Sequence, residues 1–375
     1  MPARDAREHA LAVHPSAVHA STAHASAEHR AAEHPSAEHP SAHADIAACA
    51  NLLRGGSRSF HAASRVLPRR VSEPAAALYA FCRVADDAVD HGHDRHAALA
   101  LLHERLDRVY AGHPAPQAID RAFAATVTRY RIPRALPEAL LEGFAWDAAE
   151  REYETLSDVA AYAARVAGTV GAMMTLIMGR REPAVLARAC DLGVAMQFTN
   201  IARDVGEDAA NGRLYLPRAW LREAGVDVEA FLADPRPCAG VHAATRRLLA
   251  AADGLYARAA AGIAALPGDC RPGILAARAL YAEIGRVVVR RGPLRALERA
   301  VVPRARQLAL VGGALARAPF LAAAPDETPP LPEVAFLVEA AAATGRYELP
   351  PHGIEERIAW LVDLFERLDR RDAPR

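Results

Sequence analysis

Two acidic stripes carry the chemistry that can be read in this chain. In LYAFCRVADDAVD, residues 78–90, Tyr79, Arg83, Asp86 and Asp90 are spaced by three or four, with Asp87 adjacent. On a helix that spacing puts them on one face, while Leu78, Cys82, Ala85 and Val89 form an apolar face beside it. Like charges at i and i+4 cost a few tenths of a kcal/mol on an isolated helix, so a pocket-facing pair calls for a cation. Carboxylates beside an Arg and a Tyr suit a magnesium–diphosphate site: carboxylates bind the metal, the metal binds phosphate oxygens, and Arg neutralises the rest. A solvated acidic face competes with that account for this stripe alone.

The second stripe lies in MQFTNIARDVGED, residues 196–208, where Gln197, Asn200, Asp204 and Asp208 step by three, four and four. Two amides and two carboxylates along an otherwise apolar helix need partners, which points to an internal ligand or a water-filled cavity. Arg203 precedes the first Asp, and Asn211-Gly212 followed by Arg213 provides a stop signal. Facing each other across a cavity, the stripes would bring together four carboxylates, an arrangement that requires divalent ions. A di-iron bundle would need Glu-x-x-His on two helices, and neither acidic helix offers it. His91 and His93 fall at a helix end.

These stripes must be held by helices. From about Asp45 the pattern is Ala/Leu/Arg/Glu-rich, punctuated by Pro and Gly, without sustained alternation of period two. Helices are predicted at 45–54, 57–66, 72–91, 94–111, 116–130, 135–149, 155–178, 183–210, 217–223, 240–265, 271–290 and 295–317. A Pro-rich stretch, Ala324–Pro332, precedes two further helical patterns at 333–343 and 353–370. The expected organisation is a repeat tail over 1–44, a catalytic body over 45–320, and a linker with a helical tail over 321–375. In the first segment, His9 to His39 recur every five residues among Ala, Ser, Pro and Glu. That period matches neither helix nor strand, and favours a disordered tail over a metal-binding tract.

Composition narrows the class. The 45 basic and 45 acidic side chains give zero formal charge, which offers no support for a nucleic-acid partner. The five cysteines (Cys49, Cys82, Cys190, Cys238, Cys270) show no metal-binding spacing and are expected to be reduced thiols in a cytoplasmic protein. The N-terminus lacks the apolar core of a signal peptide. The longest apolar run, Val166 to Gly179, falls short of the roughly 20 residues that span a bilayer. A greasy substrate could still bring the chain to the membrane surface as a peripheral partner.

SRSF at 57–60, YAFCRVADDAVD at 79–90, YAARVAGTVG at 162–171 and QFTNIARDVGED with NGRLYLP at 197–217 closely resemble the squalene/phytoene synthases, most of all bacterial phytoene synthases. Four motifs in order make the match specific over roughly residues 45–317. The resemblance implies an all-α isoprenoid-synthase bundle around a central cavity. It implies that Asp86, Asp90, Asp204 and Asp208, with Asn200, hold Mg²⁺, with Mn²⁺ as a substitute. Tyr79, Arg83, Arg203 and Arg213 match residues around the diphosphates, and Gln197 lines the cavity. Ser57, Ser59 and Phe60 match a helix that closes on one substrate. Tyr162 matches a tyrosine that steers protons or stabilises cations, while Val166, Gly168, Val170 and Gly171 match a small apolar wall. Relatives carry an aromatic where this chain has Ala164. Tyr281 is a weaker candidate, better read as core packing.

The implied reaction is head-to-head condensation of two geranylgeranyl diphosphates, through a cyclopropyl diphosphate, to phytoene without a nicotinamide cofactor. The alternatives are squalene, presqualene diphosphate or hydroxysqualene formation, a head-to-tail prenyltransferase or terpene cyclase (DDAVD superficially fits DDxxD), and a non-catalytic member of the same family. Intact aspartates and arginines weigh against the last, and the QFTNIARDVGED stripe against the head-to-tail class.

Overall fold

The computed structural model describes residues 40–56, 64–91, 94–323 and 328–343. Ser57, Ser59, Phe60, the His repeat and the 353–370 pattern lie outside the described residues, as does most of the helix expected at 57–66. The helices are α1 (Pro40–Gly56), α2 (Arg69–His91), α3 (Arg95–Tyr110), α4 (Ala118–Tyr130), α5 (Ala135–Ala148), α6 (Leu156–Ala163) and α7 (Thr169–Ile177). They continue with α8 (Pro183–Ala210), α9 (Arg218–Glu223), α10 (Val228–Ala233), α11 (Ala239–Ala265), α12 (Arg271–Arg291), α13 (Arg304–Arg317) and α14 (Ala335–Ala342). No strand occurs among the described residues.

Local chemistry explains most boundaries. Asp94 caps α3 by accepting from the Ala97 N–H, and Thr155 with Asp158 forms a reciprocal capping box that starts α6. Pro183 opens α8 at its first turn, where its missing N–H costs nothing. Gly212, with φ of 73°, ends that helix as the Asn-Gly signal predicts.

Two predicted helices differ from the observed ones. The 155–178 helix is interrupted by a π-helical turn over Ala164–Gly168, which rotates α7 relative to α6. The predicted 295–317 helix starts only at Arg304. Before it, Gly292 at φ of 74° and Pro293 turn the chain into a single 3₁₀ turn, and Pro303 fixes where α13 begins.

At the centre lies α8, packed against α7, α11, α12, α14 and the π turn. A Cβ at Gly171 would collide with the Ala189 carbonyl, and one at Gly193 with that of Ala167. These glycines let the α7 region and α8 approach backbone to backbone. Gly168 instead faces Leu337 on α14, so the 328–343 segment lies against the body. Val334 and Leu337 are buried there, Ser157 pairs with Glu333 at 2.6 Å, and Arg258 donates to the Pro329 carbonyl at 2.9 Å. By length and composition, Leu156–Ile177 and Ala239–Ala265 are apolar enough to cross a membrane. Half or more of each apolar window is buried in the bundle, so its apolarity serves the core.

Candidate functional site

The first stripe projects from α2, whose other face is anchored by Leu78, Phe81, Ala85 and Val89 in the core. Phe81 stacks on Phe123 of α4 with centroids 4.0 Å apart. This anchoring leaves Tyr79, Arg83, Asp86 and Asp87 half-buried along the open side. Arg83 bridges the two acids, reaching Asp87 Oδ1 at 2.7 Å and Asp86 Oδ2 at 3.5 Å. Asp90 lies on the same helix, and its side chain is outside the described residues. Burial pushes the Tyr79 hydroxyl up and the Cys82 thiol up to about 12, so both stay protonated at neutral pH.

On α8, Asn200 Nδ2 donates to Gln197 Oε1 at 3.2 Å, while Asn200 Oδ1 is buried without a hydrogen-bond partner. Arg203 Nε reaches Asp204 Oδ1 at 2.8 Å, and Arg299 Nε reaches the same oxygen at 3.4 Å. Arg299 also holds Glu207 at 2.6 Å. One turn on, burial first, then the charges of Asp204 and Glu207, push the Asp208 carboxyl up to about 7, partly offset by Arg213. A desolvated carboxylate among like charges and an orphaned amide oxygen share one remedy, a hard divalent cation that takes oxygen ligands. The donor set therefore fits such an ion. Among the described residues no three acidic, His or Cys side chains converge as a closed metal cage. Arg83 instead meets Asp86 and Asp87, and Arg203 meets Asp204.

The stripes flank an apolar cavity of about 330 Å³. Tyr79 and Cys82 of α2 line it, with Val166, Val170, Met174, Gln197 and Asn200 among the opposing residues. Its α8 lining extends from Asn200 to Val185, about 22 Å at 1.5 Å per residue. Its α12 wall is Gly273, Ile274 and Ala277. The expected wall residues Val166, Val170 and Gly171 do face this space.

Tyr162 is placed beside that wall rather than on it. It is buried, stacked against Tyr215 with centroids 5.1 Å apart and tilted against Tyr153 at 5.2 Å. Its hydroxyl donates to Asp147 Oδ2 at 2.9 Å, and the Tyr215 hydroxyl donates to Oδ1 of the same carboxylate at 2.7 Å. Burial, then the Asp147 charge, holds the Tyr162 phenol well above its ordinary value. The same carboxylate contributes to raising Asp208, which ties the tyrosine cluster to the second stripe. Sequence reasoning missed Asp147 and left Tyr215 without a role. The one available signal was a lone acid in the apolar GFAWDA run of α5. Tyr281 is buried in the core, electrostatically coupled to Arg203.

Comparison with known proteins agrees with this geometry. The squalene/phytoene synthase family profile matches residues 53–306, and the chain belongs to that family. It is similar to the phytoene synthase of Rhodobacter capsulatus, 56% identical over 331 residues, covering 86% of this chain and 97% of that one. It is also similar to the phytoene synthase of Cereibacter sphaeroides, 50% identical over 342 residues, covering 88% and 95%. Among solved structures, a dehydrosqualene synthase superposes with a TM-score of 0.69 at 29% identity, covering 74% of this chain and 98% of that one. The expected all-α isoprenoid-synthase fold is the one observed.

Proposed function

We propose that this chain condenses two geranylgeranyl diphosphates head to head, through a cyclopropyl diphosphate, into phytoene, the first step of carotenoid biosynthesis. The observation that carries the reading is a cavity whose polar end is lined by Tyr79 and the amides of Gln197 and Asn200, one helical turn from Asp204, and whose apolar bore extends about 22 Å along α8. The similarity to phytoene synthases over most of the chain selects among the family's products.

Asp86, Asp90, Asn200, Asp204 and Asp208 are the proposed ligands of Mg²⁺, or Mn²⁺ in its place. Bound there, the ion supplies Lewis-acid stabilisation of the departing diphosphate. Arg83, Arg203, Arg213 and Tyr79 orient the diphosphates and neutralise what charge remains, with Arg83 and Arg203 exchanging their Asp partners for phosphate oxygens. Ser57, Ser59 and Phe60 are the proposed contacts to one substrate. The first ionisation gives an allylic cation, whose C1 adds to the C2–C3 double bond of the second molecule, and loss of a proton from that C1 closes the cyclopropane ring. Ionisation of the resulting cyclopropylcarbinyl diphosphate, rearrangement and loss of a proton give the central triene. Val166, Val170 and Met174 exclude the water that would trap these cations as alcohols. Tyr162, held by Asp147, steers the proton or stabilises the cation while remaining a phenol.

The five cysteines are free thiols, in keeping with a cytoplasmic enzyme, and its prenyl substrates suggest peripheral contact with the membrane. Purified protein incubated with geranylgeranyl diphosphate and Mg²⁺, with and without NADPH, should form phytoene in both cases. Hydrocarbon products from farnesyl diphosphate alone, or no product, would sink the reading.

A further inference from the structure

Apolar exposure is unevenly distributed over this molecule. Among the described residues nine large hydrophobic side chains are exposed, and six of them fall between residues 289 and 320: Val289, Leu294, Val301, Leu308, Leu315 and Phe320. Three are nearly bare, with Leu294 at 85%, Leu308 at 73% and Phe320 at 87% exposure. Leu308 and Leu315 lie seven residues apart on α13 and share one face, with exposed Ala305, Ala309, Gly312 and Ala316 around them. The opposite face buries Ala314 against the body.

The same stretch is the most basic in an otherwise neutral chain. Residues 286–320 carry eight arginines and a single acid, Glu298. Glu283 holds Arg286, Arg290 and Arg306, Glu298 holds Arg291 and Arg295, and Arg299 meets Asp204 and Glu207. Four carboxylates thus face six of the eight guanidiniums. Arg304 and Arg317, at the two ends of α13, meet no carboxylate among the described residues. A bare apolar face framed by unneutralised arginines is complementary to one environment above others, an anionic lipid surface, where side chains enter the acyl boundary and guanidiniums meet headgroup phosphates.

We propose that residues 289–320, centred on the outer face of α13, dock this protein on an anionic bilayer. The surface lies one helix outside the cavity: α12 presents Gly273, Ile274 and Ala277 to the interior and packs against α13. The proposal names the surface behind the peripheral contact suggested above. It rests on the proposed reaction only for the reason a bilayer suits it: prenyl substrates and a hydrocarbon product both partition into lipid.

The test is flotation of the full-length protein with phosphatidylcholine vesicles, with and without about 30 mol% phosphatidylglycerol, at low and high salt. Flotation does not depend on turnover, so its failure and failure of phytoene formation are separate results. The protein should float with the anionic vesicles alone and be released by salt. Leu308→Glu with Leu315→Glu should weaken binding by at least about ten-fold. Arg304→Ala with Arg317→Ala should weaken it by about twenty-five-fold, about five-fold for each arginine. Thermal melts and turnover in detergent should be unchanged in both variants. No flotation of the wild type, or equal flotation of both variants, overturns the proposal. So does a Leu variant that converts a dimer to a monomer in sedimentation without altering flotation, because the face would then join two copies of the chain.

Discussion

The two acidic stripes look alike as sequence and differ in setting. Asp86 lies on α2 at the rim, its side chain 40% exposed and only 3.5 Å from Arg83. Asp204 lies on α8 at the centre of the bundle, 18% exposed and gripped by Arg203, with Arg299 behind. One turn further, Asp208 is lifted to about 7. Water screens the first stripe, whereas the second is desolvated and crowded by Asp147 and Glu207, so the same carboxylates store far more repulsion there. Repulsion held in a metal-free site is binding energy for the cation that relieves it. The comparison therefore assigns the stronger electrostatic grip to α8 and a more adaptable partner to α2.

The largest effect should come from deleting either stripe's first acid. Asp204→Ala and Asp86→Ala are each expected to lower kcat by about a thousandfold or more, with an unchanged helical CD signal. Turnover near normal in Asp86→Ala alone would mean that α8 suffices and the pairing is wrong. Next in size is Asp147→Asn, with kcat down about a hundredfold and Tyr162→Phe similar. If the two act as a unit, the double variant should be little worse than either single one, which steady-state kinetics will show.

Asp208→Asn should raise the stability of the metal-free protein by roughly 2 kcal/mol at pH 8, a gain of several degrees in Tm. Its sign follows from linkage. A carboxyl lifted from 3.8 to about 7 costs the fold stability as pH rises between those values. Melts in EDTA across that window should fall with pH in the wild type and flatten in the variant. Magnesium should restore the wild type alone, and equal slopes would remove the contrast between stripes. Smallest of all should be Asp87→Asn, within about twofold in kcat and about 0.5 kcal/mol in stability, because its pair with Arg83 is solvent-exposed.

What was legible before the structure follows from interaction range. Helix spans such as 183–210 were readable because period 3.6, a Pro at the start and Asn-Gly at the end are all local signals. The 295–303 stretch was misassigned because its Ala, Leu, Glu and Arg content favours helix. Gly292 and the prolines at either end turned it instead. The π turn had no local signature, and it forms where the α6–α7 region must pass against α5 and α8. The wall glycines were ambiguous between packing and pocket, and Gly171 proves to do both.

By itself the sequence determined which residues share a helix face: Tyr79, Arg83, Asp86 and Asp90 on one helix, Gln197, Asn200, Asp204 and Asp208 on another. Such neighbours are at most a few turns apart, and backbone geometry alone aligns them. Only the tertiary structure decided which stripe is desolvated, and that Asp147 gathers Tyr162 and Tyr215 from two other segments. It alone showed that the Leu308–Leu315 face of α13 is exposed. Those outcomes depend on which elements pack together and how much water they expel, and side chains distant in sequence meet only after the chain has closed around its cavity.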